Sequence, residues 1–215
     1  MRSLPTHKIA YFNNIPVIPE RKSIMSRLGY MGHSKPLNPK DQRFIDEISS
    51  LGLALCRNKG AAGRFKIKGR TIKAVVMTDG AIFESCRLST MLEKSEEVLL
   101  MAGTAGSEIT DRITIEMDKG NAAAAVVMDA VASVSADMIL DWIMDAFNKL
   151  LLAEARRLTR RRYSPGFGDL PLSSQAAIFR LLGLEKLNLT LNESMMLEPE
   201  KSVLAIAGIE RLGKT

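Results

Sequence analysis

The fold is decided by a stretch in the middle of the chain, Val98-Leu99-Leu100-Met101-Ala102-Gly103-Thr104-Ala105-Gly106-Ser107. Its first five residues are continuously apolar, and a short run of this kind is typical of a strand buried in a core. The two glycines interrupt the pattern, and we expect a helix to begin near Glu108. A central buried strand that leads through a glycine-containing turn into a helix is therefore the starting point of the predicted fold.

The residues before this strand predict a helix and a hairpin. Asn38 is a suitable N-cap, Pro39 suits the first helical position, and we expect the helix to end within 58–63. Lys66 and Lys68 alternate with Phe65 and Ile67, which predicts a hairpin with lysines on its exposed face, a turn at Gly69 and a return strand over 72–77. A turn at Asp79-Gly80, a short strand at 82–83 and a helix over 86–92 follow.

The residues after the central strand predict a long helix. Gly120-Asn121 breaks the preceding pattern, Asn121 is a candidate cap, and the helix that follows extends in this prediction to Arg157 or beyond. A short helix over 173–182 and strands over 187–191 and 202–207 complete the chain. We therefore expect an α+β fold, a single mixed domain over 38–215 with a central antiparallel-rich sheet and a long helix. Residues 1–37 are expected to form an irregular N-terminal arm with one short helix near 20–28.

Composition limits the classes of function. The 215 residues suit one domain, and the formal net charge of +6 permits nucleic acid binding without requiring it. Five arginines fall within seven residues, at 156, 157, 160, 161 and 162, but no aromatic residues are interleaved to stack on bases. We expect no nucleic acid partner, and we interpret this run as a solvated helix end or as a docking face for an acidic protein.

Metal sites and membrane insertion are not expected either. Cys56 and Cys86 form no metal-ligand spacing, and His7 and His33 lie in the N-terminal region, which favours reduced thiols in a cytoplasmic protein. No apolar run of signal-peptide type begins the chain. The apolar stretch 122–147 is interrupted by four aspartates, and this predicts a buried helix and no membrane span.

One segment after the long helix has the features of a binding loop, Arg162-Tyr163-Ser164-Pro165-Gly166-Phe167-Gly168-Asp169. The proline limits the backbone, and the two glycines allow a ligand to approach main-chain groups closely. Arg162 could hold a carboxylate through two hydrogen bonds, and Tyr163 or Phe167 could cover a flat ring. Without the resemblance, the same residues favour a helix end followed by an ordinary tight turn, because Pro-Gly turns are common.

This segment resembles the signature of the methionine synthase activation domain family, which reads Arg-x-Ala/Ser-Pro-Gly-Tyr followed by Pro or Gly. The turn 103–106 resembles the family's Thr-x-Gly turn, and 120–130 resembles the start of its long helix. Asn192-Glu193-Ser194-Met195-Met196, with Pro199, Lys201 and Ser202, resembles the region before its last strand. The resemblance covers about 38–210 and is most specific at 162–171.

The resemblance implies a site for S-adenosylmethionine. Arg162 would bind the methionine carboxylate, Ser164 would offer main-chain groups, and Phe167 stands where the family usually has a hydroxyl-bearing Tyr. Asp137 on the long helix would hold the amino group or face the sulfonium; alternatively, it is an ordinary exposed helix carboxylate. The implied binding residues are Arg162, Tyr163, Ser164, Pro165, Gly166, Phe167, Gly168 and Asp137, with no catalytic side chain and no metal ligand.

The resemblance also implies a function. It is closest to a compact stand-alone version of the domain, an activation subunit that supports reductive remethylation of cob(II)alamin on a separate cobalamin-dependent methionine synthase. The cobalamin would be supplied by that partner, and flavodoxin or ferredoxin would supply the electron. Two alternatives are an activator of a different corrinoid methyltransferase and a docking protein of the same fold that binds no ligand. A phosphate site at 103–107 is not favoured, because the turn lacks the Gly-Lys-Ser/Thr ending of a P-loop.

Overall fold

The computed structural model describes residues 8–30 and 37–213. The helices are α1 Arg21–Arg27, α2 Pro39–Leu55, α3 Cys86–Met91, α4 Ser107–Asp118, α5 Ala122–Leu152, α6 Ser174–Leu182 and a 3₁₀ helix at Leu184–Leu187. The strands are β1 Ile9–Asn13, β2 Lys59–Arg70, β3 Ala74–Met77, β4 Ile82–Glu84, β5 Ser95–Thr104, β6 Arg156–Leu158, β7 Thr190–Leu191, β8 Leu197–Glu198 and β9 Ser202–Arg211.

Seven of the strands form one antiparallel sheet. Its order is β4-β3-β2-β5-β9-β6, and β1 pairs with β2 outside this path. β5 lies between β2 and β9, and its residues from Leu99 to Ala102 are fully buried. The predicted central strand and the α+β fold class are therefore confirmed. β7 and β8 form a separate two-stranded ribbon.

The two faces of the sheet bury two different cores. Leu99 and Met101 of β5 pack towards α5, whereas Val98 and Leu100 pack towards α6 and the β3–β4 hairpin, as the alternation of side chains along a strand requires. Gly103 lets α5 approach closely, because a Cβ there would lie 2.7 Å from the Cγ2 of Ile139. This packing gives the first glycine of the 103–107 turn a structural role.

α5 is the helix that the apolar stretch predicted. Among the described residues it is the one helix long and apolar enough to cross a membrane, but 72% of its most apolar window is buried inside the protein. Asn121 occupies its N-cap position without a capping hydrogen bond from its side chain. The Asn121 amide donates instead to the carboxylate of Glu116 at 2.8 Å, so the expected cap is replaced by a link between α4 and α5.

Two predicted helix ends were wrong. α2 ends at Leu55, and β2 already begins at Lys59, so residues 58–63 belong mostly to a strand. α5 ends at Leu152, and Arg156–Leu158 form β6, which pairs with β9. The arginine run therefore starts on an edge strand and not on a helix end, because hydrogen bonding to a distant strand outweighs local helix propensity. Ala155, with a φ of 52°, reverses the chain between the two elements.

Smaller differences concern turns. The β2–β3 hairpin is confirmed, but Gly69 lies within β2, and the turn falls at 71–73. The strand expected over 187–191 is reduced to β7, because the preceding residues form the 3₁₀ helix, which ends at Asn188 with a φ of 61°.

The arm contributes a strand that the sequence did not predict. β1 pairs with β2, and the hydroxyl of Tyr11 donates to the carbonyl of Leu182 at 2.7 Å, which ties the strand to the end of α6. The predicted short helix near 20–28 is confirmed as α1. His7 and His33 lie outside the described residues.

Candidate functional site

The candidate loop leaves the sheet edge through a bulge. The Thr159 N–H donates to the Gly208 carbonyl at 2.8 Å, and Tyr163 pairs with Ile206 through hydrogen bonds of 2.9 and 2.8 Å. The three arginines at 160–162 lie between these two attachments. The buried Thr159 hydroxyl fixes the bulge, because it accepts from the Gly208 N–H at 2.9 Å and donates to the Arg161 carbonyl at 2.8 Å.

Arg162 turns towards α5. One of its guanidinium nitrogens pairs directly with the carboxylate of Asp141. The other donates to the main-chain carbonyl of Asp137 at 3.3 Å and lies 3.9 Å from its carboxylate. Both carboxylates are more than half exposed, whereas the Arg162 side chain is 23% exposed. The structure therefore brings together two of the predicted site residues, Arg162 and Asp137.

Tyr163 turns to the opposite face of the sheet. Its ring packs against the core beneath α6, and its hydroxyl donates to Asp169 at 3.1 Å. The ring of Phe167 meets it edge-on, with 5.8 Å between centroids, and the Phe167 side chain is largely exposed. Consecutive residues of an extended chain point to opposite faces, so Arg162 and Tyr163 cannot contact one side of a ligand together.

The glycines shape the tip of the loop. Gly166 and Gly168 have φ values of 82° and 60°, a region that other residues rarely adopt. The Ser164 carbonyl accepts from the Phe167 N–H at 3.2 Å, and the Gly166 N–H donates to Leu170 at 2.9 Å. A Cβ at Gly168 would overlap the Tyr163 hydroxyl.

Ser164 and Pro165 are half-buried in this turn. The predicted loop residues from Ser164 to Gly168 therefore form one compact turn, with Phe167 at its exposed surface.

Asp169 anchors the end of the loop to α3. Its carboxylate accepts from the Ser85 hydroxyl at 2.5 Å and from the N–H groups of Cys86 and Arg87 at 2.8 and 3.1 Å. The Ser85 hydrogen bond, followed by those from Arg87, Tyr163 and Cys86, lowers the pKa of Asp169 to about 2. The carboxylate is therefore ionised at neutral pH, and it attaches the end of the loop to the start of α3.

Sequence reasoning missed Asp141, and it included Asp169 in the loop segment without giving it a role. Asp141 lies four residues after Asp137, so the two share a helix face, and this spacing was the signal that could have identified it. No local pattern linked Asp169 to Ser85, because 84 residues separate them.

Chemically, the Arg162 face can hold a molecule with both charges. A guanidinium beside two exposed carboxylates offers a partner for a carboxylate and a partner for an ammonium group. Within the described ranges, no group of three histidine, cysteine or acidic side chains is placed to hold a metal ion. Cys56 and Cys86 are free thiols.

The fold defines a class of α+β domains with an antiparallel sheet and one long helix packed across it. A member of that class is the MetH reactivation domain, whose crystal structure was determined bound to AdoHcy. The two structures superpose with a TM-score of 0.69 and 13% sequence identity, over 100% of this chain and 81% of that chain. This likeness shows a shared fold. No protein-family model and no curated protein matches the sequence.

Proposed function

We propose that this chain binds S-adenosylmethionine beside Arg162 and activates a separate cobalamin-dependent methionine synthase. The fold supports the proposal, because the MetH reactivation domain has the same architecture and was crystallised with AdoHcy. The loop Arg162 to Asp169 supports it further, since it leaves the edge of the sheet as one ordered turn. We place the protein in the cytoplasm as part of the same proposal.

The observation that carries the proposal is the pairing of Arg162 with two exposed acids. The methionine part of S-adenosylmethionine is zwitterionic, with its carboxylate and ammonium group on one carbon. The ligand carboxylate would replace Asp141 as the ion-pair partner of the Arg162 guanidinium. The ammonium group would pair with Asp137, whose carboxylate lies 3.9 Å from that guanidinium. Both acids are solvated, so this exchange costs little.

The remaining loop residues would receive the rest of the ligand. The ligand would extend around the edge of the sheet from Arg162 to the exposed ring of Phe167, which would lie against the adenine. Gly166, Gly168 and the main chain at Ser164 and Pro165 allow close approach. Tyr163 would support Phe167 without contacting the ligand, because its hydroxyl donates to Asp169 and its ring packs against the ring of Phe167.

In this role the protein contributes position and electrostatics. S-adenosylmethionine would supply the methyl group for the partner's cobalamin, which an external reductant, flavodoxin or ferredoxin, would first reduce by one electron, and S-adenosylhomocysteine would be the product. Arg162 and Asp137 would orient the sulfonium methyl towards the partner, and no side chain of this protein needs to form a covalent bond.

A second candidate is a docking protein of the same fold that binds no ligand. The direct pairing of Arg162 with Asp141 favours it, because the guanidinium already has a carboxylate partner within the chain. The two candidates differ in one measurable property, the binding of S-adenosylmethionine.

Calorimetric titration with S-adenosylmethionine separates them. The proposed function predicts saturable binding and a rise in thermal stability with ligand concentration. Heat and thermal shift that stay at the baseline up to millimolar ligand would overturn the proposed function and leave the docking protein as the candidate. If binding is observed, the cobalamin spectrum of candidate corrinoid proteins, followed with ligand and reductant, tests activation and identifies the methyltransferase served.

A further inference from the structure

A depression on the edge of the sheet lies beside the candidate loop without including its binding residues. It has a volume of about 740 Å³. Its apolar lining comes from Met91, Leu152, Leu158 and Leu212. Leu152 is 61% exposed and Leu212 is 38% exposed, so part of this apolar lining is open to a partner.

The rim of this depression is positively charged. Arg157, Arg160 and Arg161 line it, with Glu210 as the one acidic lining residue. Glu210 lies 3.6 Å from Arg157. In the part of the chain that the structure describes, no carboxylate lies within ion-pair distance of Arg160 or Arg161, and both are exposed. The depression therefore offers two cations that the fold itself does not neutralise.

The backbone that carries these two arginines is held in place by the fold. Arg160 and Arg161 lie on the bulge that Thr159 fixes through the Gly208 N–H and the Arg161 carbonyl. A bulge gives up regular strand pairing, and bulges are common where a side chain is directed towards a functional surface. Because this backbone is already held, little conformational freedom remains to be lost when a partner binds here.

Recognition at this edge would use side chains. β6 ends the sheet, but the Leu158 N–H already donates to the side-chain oxygen of Asn148 at 2.8 Å. This hydrogen bond occupies a backbone group that an added strand would need. The apolar lining and the unpaired arginines remain available.

We infer that this depression docks an acidic segment of a partner protein, which inserts an apolar side chain between Leu152 and Leu212 and places carboxylates on Arg160 and Arg161. The positive charge of the arginines favours a partner that carries carboxylates. The exposed leucines favour an amphipathic polypeptide over a fully polar polyanion. The identification of that partner as the cobalamin-bearing protein rests on the proposed function, whereas the docking chemistry does not.

The test uses the full chain, labelled with ¹⁵N, and a short synthetic peptide in which glutamate and leucine follow an amphipathic helical pattern. We expect saturable shifts of the amide signals of Leu152, Leu158 and residues 160–161. The double variant R160E/R161E should weaken binding by at least about tenfold. The matched control K66E/K68E makes the same change of charge on exposed lysines of β2, three strands away, and should alter affinity by less than about twofold.

Three results would overturn the inference. The peptide could fail to give saturable shifts, the control could weaken binding as much as R160E/R161E does, or a single-stranded RNA could bind the arginines more tightly than the peptide. Thermal unfolding of each variant checks that it folds. Calorimetry with S-adenosylmethionine is run on the same samples: peptide binding without ligand binding supports the docking surface and overturns the proposed function alone.

Discussion

Arg64 and Arg162 both point from the sheet towards α5 and its C-terminal turn, yet their surroundings differ. Arg64 on β2 donates to both carboxylate oxygens of Glu154, at 2.7 and 3.0 Å, and to Glu97 at 3.1 Å. The Glu97 carboxylate also forms an ion pair with the Arg156 guanidinium at 2.6 Å. The Arg64 side chain is only 7% exposed, whereas the two acids that pair with Arg162 are largely in water.

The electrostatics of Arg64 follow from this burial. Desolvation lowers the pKa of its guanidinium, but the hydrogen bond to Glu154 and the charges of Glu97 and Glu154 outweigh that effect, so the pKa is raised. Separating a buried cation of this kind from its carboxylate partners strongly destabilises the folded protein. Arg162 can exchange its acids for a ligand at small cost. The same residue type thus serves as a fixed part of the core in one place and as an exchangeable contact in the other.

The largest expected effect is on stability. Arg64→Met should lower the free energy of unfolding by about 3–5 kcal/mol, because Glu97 and Glu154 remain partly buried without their shared cation. Urea denaturation measures it. The matched variant Arg162→Ala should change the same quantity by less than about 1 kcal/mol. Equal losses in the two variants would remove the distinction between the fixed and the exchangeable arginine.

The next effect is on ligand binding. Arg162→Ala should weaken S-adenosylmethionine binding by about 2–5 kcal/mol, because the bound ligand would cover the carboxylate–arginine pair and desolvate it. Calorimetry measures it, with Arg157→Ala as a control on the neighbouring strand. An unchanged affinity in Arg162→Ala would remove this residue from the site.

Substitution of Asp141 and of Asp137 on α5 should change the affinity for S-adenosylmethionine in opposite directions. Asp141→Asn should strengthen S-adenosylmethionine binding by up to about fivefold, because it releases Arg162 from a solvated ion pair. Asp137→Asn should weaken binding, since it removes the partner proposed for the ammonium group. Asp145→Asn, one helical turn beyond Asp141, is the control. Affinity changes of the same sign in both variants would contradict the proposed exchange.

The smallest effect concerns the anchor of the loop. The folded pKa of Asp169, about 2, lies below the usual aspartate value of 3.8, so its stabilising contribution is present above about pH 4 and is lost as the pH falls towards about 2. The difference in melting temperature between wild type and Asp169→Asn should therefore shrink over this window. A difference that stays constant from neutral pH to about pH 2 would show that Asp169 does not anchor the loop through its charge.

The sequence predicted the elements whose signals are local. The cap at Asn38 and the apolar run at 98–102 identified α2 and β5, because capping and burial act within a few residues. β6 was predicted as helix because its strand form depends on β9, about 50 residues away in the chain. The same limit applies to the site. The resemblance predicts Arg162 and Asp137 as site residues, but their proximity depends on the packing of α5 against the sheet.

β9 follows every other strand of the sheet in the chain but lies between β5 and β6 within it. Thr159 and Tyr163 take their main-chain partners from Gly208 and Ile206 of this strand. During synthesis, the residues around Arg162 therefore leave the ribosome well before the strand that holds them. A chain interrupted before β9 would contain every proposed ligand contact and still lack a binding site, because the strand that holds the loop would be missing. The order of translation thus makes the site one of the last parts of the molecule to form.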